Sequence, residues 1–301
     1  ACVNAIADFF TIALLTATLR STAPLLFAAM GGLLSERSGV TNIALEGLML
    51  LGAFAAAAGT FFSGNPFVGL AVGMLAGLLG ALVFGVWTIG LRADQIVAGT
   101  AINLLGAGLT AFLVQRIWNQ AGGSPQVDKL PAVSVAGNNV NILVPVAFLL
   151  VPLVQFVLYR TKAGLRIMAA GESPTAAESV GIAVPAYRYA CVLASGLLAG
   201  LGGAYLSIGD LSQFTINMTA GRGFIALAAV IFGNWTPWGT LAAALLFGFS
   251  QAVRYQVQAL NLPISQDLLI ALPYVVTLIA VTIFARRSHP PAGLGKHARS
   301  G

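Results

Sequence analysis

"SERSGVTNIALEG", residues 35–47, is a short polar stretch between two long apolar runs. It places Glu36, Arg37 and Glu46 together in a chain that carries few charged residues. So short a connection is typical of two helices that meet at a polar joint inside, or at the edge of, a membrane domain. Within it, we expect Glu36 and Arg37 to be plain loop charges.

The composition agrees with a membrane protein. The chain has 301 residues, of which 58% are hydrophobic and 8% charged, whereas roughly a quarter of the residues in soluble domains are charged. Apolar stretches of about twenty residues match the thickness of a bilayer core. Abundant glycine and alanine suit close helix packing in lipid, and the alternation of membrane strands is missing. The sequence therefore predicts an all-α, polytopic membrane helix bundle.

The apolar runs predict about nine membrane-embedded segments in one domain, residues 1–286. Residues 4–19 are either a short span or an interfacial helix. Residues 224–232 are apolar but too short to cross, which predicts a re-entrant or broken helix. The other predicted segments are 21–34, 41–62, 67–90, 95–117, 142–159, 186–208, 238–257 and 265–285.

The positive charges predict an orientation. A net charge of +6 could indicate nucleic-acid binding in a soluble protein, but here most cations lie in short loops and in the tail. The loop with Arg92, the loop 160–185 and the tail fall on one side if residues 224–232 make one passage, and the positive-inside rule assigns that side to the cytoplasm. We therefore predict no nucleic-acid partner and a cytoplasmic tail, residues 287–301, that is disordered.

One polar stripe begins in the opening stretch. If a helix starts near Thr41, then Ser38, Asn42 and Glu46 share a face. An intramembrane carboxylate usually faces a cavity or a partner, which places Glu46 on a translocation path. The alternative is that Glu46 merely interacts with the dipole at its own helix N-terminus.

A second stripe consists of Gln95, Gly99 and Asn103, spaced four apart. It either lines the path or forms interhelical hydrogen bonds. The predicted path residues are therefore Ser38, Asn42, Glu46, Gln95 and Asn103.

A third stripe, Ser250, Arg254 and Gln258 with Gln251 and Tyr255 alongside, lies at the outer end of its predicted helix. It either lines an outer vestibule or marks the end of the span.

Catalytic and metal-binding patterns are missing from the sequence. Both histidines, His289 and His297, are in the tail, and the two cysteines have no metal or redox spacing. The Gly196-x-x-x-Gly200 pattern follows no strand, so it predicts helix packing rather than a dinucleotide loop. We expect no metal, no cofactor and no enzymatic activity of the chain alone.

The connection 160–185 carries a helix signature. Ser173 suits an N-cap, Pro174 the first helical position and Gly181 the end of the helix. A loop between two spans needs no helix, whereas a docking element does. The alternative is a tight, well-capped connection.

Two motifs resemble a known family. "GLRIMAAGESPTAAESVGIAV", residues 164–184, resembles the coupling-helix region of permease subunits of bacterial ABC importers, in the branch with branched-chain amino acid and simple-sugar permeases. "GGLLSERSGVTNIALEGLMLLGAF", residues 31–54, resembles the hallmark of the nucleoside-importer members of that branch. The resemblance covers the chain from about Arg20 to Arg286.

The resemblance implies a permease in the bacterial cytoplasmic membrane that pairs with a second, related permease. Two copies of an ATP-binding-cassette domain would bind ATP and dock below, and a lipoprotein or periplasmic binding protein would deliver nucleosides, or alternatively simple sugars. The implied ATPase-coupling residues are Gly171, Glu172, Pro174, Thr175, Ala176, Ala177, Glu178 and Gly181.

Two other classes fit less well. An ion-coupled secondary carrier needs carboxylates deep in a span, but Glu46, Asp210 and Asp267 all lie near predicted ends. An integral membrane enzyme needs clustered catalytic side chains, which the sequence does not offer.

Overall fold

The computed structural model describes residues 12–120, 122–135, 138–259, 275 and 289–296. This part of the chain forms ten α-helices and one antiparallel two-stranded hairpin. The helices are α1 (Ile12–Arg37), α2 (Leu45–Ser63), α3 (Pro66–Gly85), α4 (Gln95–Trp118), α5 (Leu143–Arg160), α6 (Lys162–Glu172), α7 (Pro174–Ser179), α8 (Val184–Ala204), α9 (Arg222–Phe232) and α10 (Pro237–Ala259). The strands are β1 (Ala132–Val135) and β2 (Asn138–Asn141), and π-helical turns, Val86–Gly90 and Tyr205–Leu211, extend α3 and α8.

The helices form a polytopic membrane protein, as predicted. Six helical stretches in the described part are long and apolar enough to cross a bilayer, and α9 is the predicted shorter apolar helix. Residues 4–11 and, apart from residue 275, residues 265–285 lie outside the described residues, so the count of about nine segments stays a prediction. The six stretches are Ala13–Arg37, Leu45–Ser63, Pro66–Gly90, Gln95–Trp118, Leu143–Arg160 and Val184–Leu211.

The first helix differs from the prediction. The sequence predicts separate segments at 4–19 and 21–34, but α1 runs without interruption from Ile12 to Arg37. The predicted break rested on the charge of Arg20, which interrupts the apolar run. Its guanidinium is instead paired with Asp210, Nη2 to Oδ1 at 2.7 Å, so the helix continues through it.

α8 lies at the centre of the bundle and packs against α1, α2 and α3. A Cβ on Gly77 would lie 2.3 Å from the carbonyl oxygen of Gly196, and one on Gly200 would lie 2.6 Å from that of Gly73. Only glycine permits backbones to approach this closely. The prediction that the Gly196-x-x-x-Gly200 pattern serves helix packing is confirmed.

The connection between α4 and α5 contains the hairpin, which an all-α prediction does not include. β1 and β2 pair from Ala132 opposite Asn141 to Val135 opposite Asn138. The earlier part of the connection lies along the chain that follows α8, since the N–H of Val127 donates to the carbonyl of Ser212 at 2.8 Å. The long polar loop is therefore a structured cover over one end of the bundle.

Candidate functional site

The polar stretch of residues 35–47 contacts both ends of the short helix α9. Eleven residues at 1.5 Å per residue make α9 roughly 16 Å long, about half the thickness of a bilayer core. Such a half-length helix ends inside the protein, where its unpaired backbone groups need partners. At the N-terminus of α9 those partners come from residue 46, and beyond its C-terminus residues 36 and 37 hold the turn that follows.

Glu46 caps the N-terminus of α9 from a distant part of the chain. One carboxylate oxygen accepts from the N–H of Gly221 at 2.8 Å and from the hydroxyl of Thr219 at 2.6 Å. The other oxygen accepts from the N–H of Gly223 at 2.7 Å. Gly221 is the N-cap residue, has φ +81° and offers no side chain of its own for this purpose. The carboxylate therefore supplies the acceptors that the helix start lacks.

The N-termini of α2 and α9 meet at this carboxylate. A Cβ on Gly223 would lie 2.4 Å from the backbone nitrogen of Glu46, so glycine is required for the contact. Both helix ends carry a partial positive charge, and Glu46 lies between them. The structure thus gives Glu46 a role that was predicted neither as path lining nor as an interaction with the dipole of its own helix. The capped residue, Gly221, is 175 residues away in the sequence, so no local pattern indicated it.

The prediction that Glu36 and Arg37 are plain loop charges is wrong. Glu36 is 2% exposed, and its carboxylate accepts the indole N–H of Trp235. Arg37 donates its Nε–H to the backbone carbonyl of Trp235 at 2.7 Å and an Nη2–H to the hydroxyl of Tyr159 at 3.2 Å. Trp235 lies in the turn that follows α9 and has φ +52°. Both charges thus hold the turn at the C-terminal end of α9.

The first predicted stripe does not form. α2 begins at Leu45 rather than near Thr41, so Ser38 and Asn42 precede the helix and share no helical face with Glu46. Ser38 and Asn42 are nevertheless fully buried.

The side chain of Asn42 explains why the helix starts late. Its Oδ1 accepts from the N–H of Ala44 at 3.1 Å, a local bond that competes with helix formation. Its Nδ2 donates to the hydroxyl oxygen of Ser195 in α8 at 2.9 Å. The hydroxyl of Ser38 donates to the carbonyl of Ser35 at 2.6 Å. These bonds fix the turn between α1 and α2 on the central helix.

The second stripe packs onto the same turn. Gln95 accepts the N–H of Thr41 at its Oε1, at 2.7 Å. Asn103 accepts the N–H of Gly47 at its Oδ1, at 2.7 Å, and donates from its Nδ2 to the carbonyl of Ile43 at 2.9 Å. For Gln95 and Asn103 the sequence had left two interpretations open, lining of a translocation path or hydrogen bonds between helices. The structure shows such hydrogen bonds, from α4 to α2 and the turn before it.

The connection between α5 and α8 contains two helices, although the sequence predicted one. The predicted helix is α7, with Ser173 at the N-cap position and Gly181 in a left-handed conformation after it. Preceding it, α6 begins after Thr161, whose hydroxyl oxygen accepts the N–H of Gly164 at 3.1 Å. A threonine N-cap before an amphipathic run was the signal that the prediction of one helix missed.

Three of the predicted coupling residues face the chain itself. Gly171, Pro174 and Ala177 are buried, and Ala177 packs in a small apolar cluster with Ala170 and Val184. Ala177 therefore packs within the chain and is not exposed to a partner.

The remaining coupling residues lie on the accessible side of these helices. Glu172, Thr175, Ala176 and Gly181 are exposed, and Glu178 is half-buried. Val180, which the prediction left out, is 75% exposed at the end of α7. The accessible side of α6 and α7 thus carries both polar and apolar side chains.

Part of the tail is ordered, contrary to the prediction for residues 287–301. Within 289–296, the N–H of Gly293 donates to the carbonyl of Gly171 at 2.8 Å, and the N–H of Gly295 donates to that of Gly39 at 3.1 Å. The segment therefore bridges the end of α6 and the turn after α1. Its prolines and glycines suggested disorder, but they instead shape a turn whose N–H groups find acceptors.

Arg188 completes this junction. It is buried and donates its Nε–H to the carbonyl of Ser38 at 3.2 Å and an Nη1–H to that of Lys296 at 2.9 Å. The N–H of Ala292 donates to the Glu172 carboxylate at 3.1 Å. The tail, the turn after α1 and the end of α6 thus form one hydrogen-bonded unit.

A family model described as the permease component of the branched-chain amino acid transport system matches residues 14–281. The chain belongs to this family.

Relatives match over most of their length. The guanosine ABC transporter permease protein NupQ of Bacillus subtilis is 39% identical over 305 residues, covering 93% of this chain and 94% of the relative. The nucleoside ABC transporter permease protein NupC of Lactococcus lactis is 36% identical, covering 90% and 92%. TsgC13 of Haloferax volcanii, which is named for glucose transport, is 38% identical and covers 86% and 82%. A second guanosine permease protein of Bacillus subtilis, NupP, is 24% identical and covers 82% of this chain.

A solved structure supports the architecture. PsaBC from Streptococcus pneumoniae, in complex with a Fab, matches with a TM-score of 0.51 and 12% identity, covering 92% of this chain and 96% of that one. At this identity the likeness concerns the fold alone.

Proposed function

We propose that this chain is one of two permease subunits of an ATP-driven importer that carries nucleosides into the cell. The observation that carries the proposal is the near full-length similarity to two permeases named for guanosine and nucleosides. ATP would be hydrolysed by separate subunits.

The pairing with a second permease also has support. Bacillus subtilis NupQ and NupP are both guanosine permease proteins, and both match this chain at different identities. α3 and α4 are mostly exposed and apolar, so their faces fit contact with lipid or with a second membrane subunit. A heterodimeric pair is therefore the expected assembly.

The coupling surface lies on the exposed side of α6 and α7. Thr175, Ala176 and Val180 face outward, while Ala177 anchors α7 to the chain. A six-residue helix is too short to be stable alone, so its shape comes from this anchorage. A rigid, anchored projection can transmit the movement of a docked ATPase.

The orientation of the chain in the membrane follows from the charges at the end of the bundle that holds α6, α7 and the tail. The tail, the turn after α1 and the coupling helices meet there, and Arg160, Lys162 and Arg166 lie in or beside the coupling helices. The positive-inside rule makes this end cytoplasmic. A binding protein would then deliver substrate at the opposite end, where the hairpin lies.

Simple sugars are the second candidate substrate, because TsgC13 matches at an identity close to that of NupC. The test is uptake of labelled guanosine, uridine or glucose by proteoliposomes that contain both permeases and the ATPase, with binding protein and ATP. We expect guanosine uptake that requires ATP and the ATPase subunit. Glucose uptake without nucleoside uptake would favour the sugar alternative, and uptake by this chain alone would overturn the importer assignment.

A further inference from the structure

A cavity of about 320 Å³ opens at the end of the bundle opposite to the coupling helices. Arg20, in its wall, is 17 residues before Arg37, which at 1.5 Å per residue places the two roughly 25 Å apart along α1. The volume is at the lower end of the range for small-molecule sites, about 300–1,000 Å³. The polar and aromatic residues that line it are Arg20, Ser21, Tyr205, Asp210, Arg222 and Tyr255.

The charged groups of this cavity are held in place. Arg20 pairs with Asp210 at 2.7 Å, and Lys129 donates to the backbone carbonyl of Asp210 at 2.8 Å. Arg222 donates to the hydroxyl of Tyr255 at 3.3 Å and to the carbonyl of Met218 at 2.9 Å. A site whose donors are already oriented loses little entropy when a ligand binds.

Two polar groups in the wall are incompletely paired within the described residues. The Nε–H of Arg222 makes no hydrogen bond, and the hydroxyl of Tyr205, a residue that is 1% exposed, lies beside the guanidinium of Arg20 but forms no well-aligned hydrogen bond. Leaving a buried polar group unpaired costs about 1–3 kcal/mol, so each of them needs a ligand or water. Tyr205 and Asp210 both belong to the π-helical turn Tyr205–Leu211, and such turns occur frequently at functional sites.

We propose that this cavity receives the substrate on the outer side of the membrane and that its groups fit a purine nucleoside, an inference that rests on the proposed function. Arg20 retains donors beyond its bond to Asp210, and guanidinium groups pair well with the O6 and N7 acceptors of guanine. The carboxylate of Asp210 and the hydroxyl of Tyr205 suit the hydroxyls of a ribose. The ring of Tyr255, which is 48% exposed, can stack on a base.

The test is equilibrium binding of tritiated guanosine to the complete permease–ATPase complex in nanodiscs, without binding protein. Tyr205→Phe removes a hydroxyl that has no well-aligned hydrogen bond among the described residues, so the fold should be kept, and it should weaken binding about threefold to tenfold. Arg20→Gln should weaken it about tenfold or more. The matched controls are Tyr187→Phe and Arg166→Gln, whose side chains bond each other at 2.9 Å at the coupling end. Both controls should bind as wild type does.

Uptake measured on the same preparations separates this inference from the proposed function. If the wild-type complex imports guanosine but Tyr205→Phe and Arg20→Gln bind it unchanged, the cavity is not the site and the importer assignment stands. The same conclusion follows if the importing complex shows no guanosine binding. If the wild-type complex imports no nucleoside, the proposed function itself fails.

Discussion

Single charged residues explain why the opening stretch is polar. Glu46 holds the start of α9, while Glu36 and Arg37 hold the turn after its end. Charged residues in a membrane domain are costly, and here their cost is offset by backbone and indole groups that would otherwise remain unpaired.

Replacement of Glu46 by alanine should destabilise the protein and lower transport. Three donors at Gly221, Gly223 and Thr219 would lose their acceptor, at a cost of about 1–3 kcal/mol. The stability and uptake of Glu46→Gln should fall between those of the wild type and of Glu46→Ala, because the glutamine side chain keeps one acceptor oxygen. The measurement is the thermal unfolding midpoint together with guanosine uptake. Asp128→Ala, which removes an exposed carboxylate, serves as the control, and equal behaviour of the two alanine variants would refute the capping role.

Trp235→Phe should destabilise the protein more than Trp238→Phe. The first change removes the only indole donor to the buried carboxylate of Glu36 among the described residues, whereas Trp238 is 55% exposed. We expect a difference of about 1–3 kcal/mol in the free energy of unfolding, measured by denaturant titration. If the two variants unfold alike, Glu36 does not anchor the turn through its indole contact.

Helices that are marked by residues in or next to them could be located from the sequence. Capping and proline signals located α7, and the shortness of the apolar run located α9. The continuity of α1 did not follow, because the partner of Arg20 is 190 residues away. The ordered tail escaped prediction for the same reason, since its acceptors lie on α6 and on the turn after α1. Local chemistry is visible in a sequence, whereas a partner brought close by folding is not.

Removal of the ordered tail should weaken coupling between the ATPase and the permease. A chain ending at Arg287 lacks Gly293 and Gly295, which bridge α6 to the turn after α1. ATP hydrolysis by the reconstituted complex should then lose its stimulation by loaded binding protein. A chain ending at Lys296 keeps these contacts and should be stimulated as the full chain is. Equal stimulation of both truncated chains would mean that the tail has no part in coupling.

Ala176→Trp and Val180→Asp should uncouple the complex without unfolding it, because both residues are exposed. Ala177→Trp should instead impair folding, since Ala177 is buried. Stimulated ATPase activity and the yield of folded protein are the two measurements. Val133→Asp, on the exposed face of the hairpin, is the control and should change neither. Normal stimulation with Ala176→Trp and Val180→Asp would contradict a docking role for α7.

At the scale of the whole molecule, α1 connects every functional part. It contributes Arg20 to the cavity, Glu36 and Arg37 to the turn after α9, and the chain that follows it to the coupling junction. With 26 residues it is roughly 39 Å long, enough to span the bilayer core. The end of α6 and the turn after α9 are therefore linked through contacts that both make with α1 or with the turn that follows it.

Whether residues 35–47 hold α9 is tested most directly by amide hydrogen exchange, measured by mass spectrometry across residues 219–236. The proteins compared are the wild type, Glu46→Ala and Trp235→Phe. We expect slow exchange throughout this segment in the wild type. Glu46→Ala should speed exchange at the start of α9 by about tenfold or more, and Trp235→Phe should do so at the turn after its end. Exchange that is unchanged in both variants would contradict the claim that the charges of residues 35–47 hold α9 at its two ends.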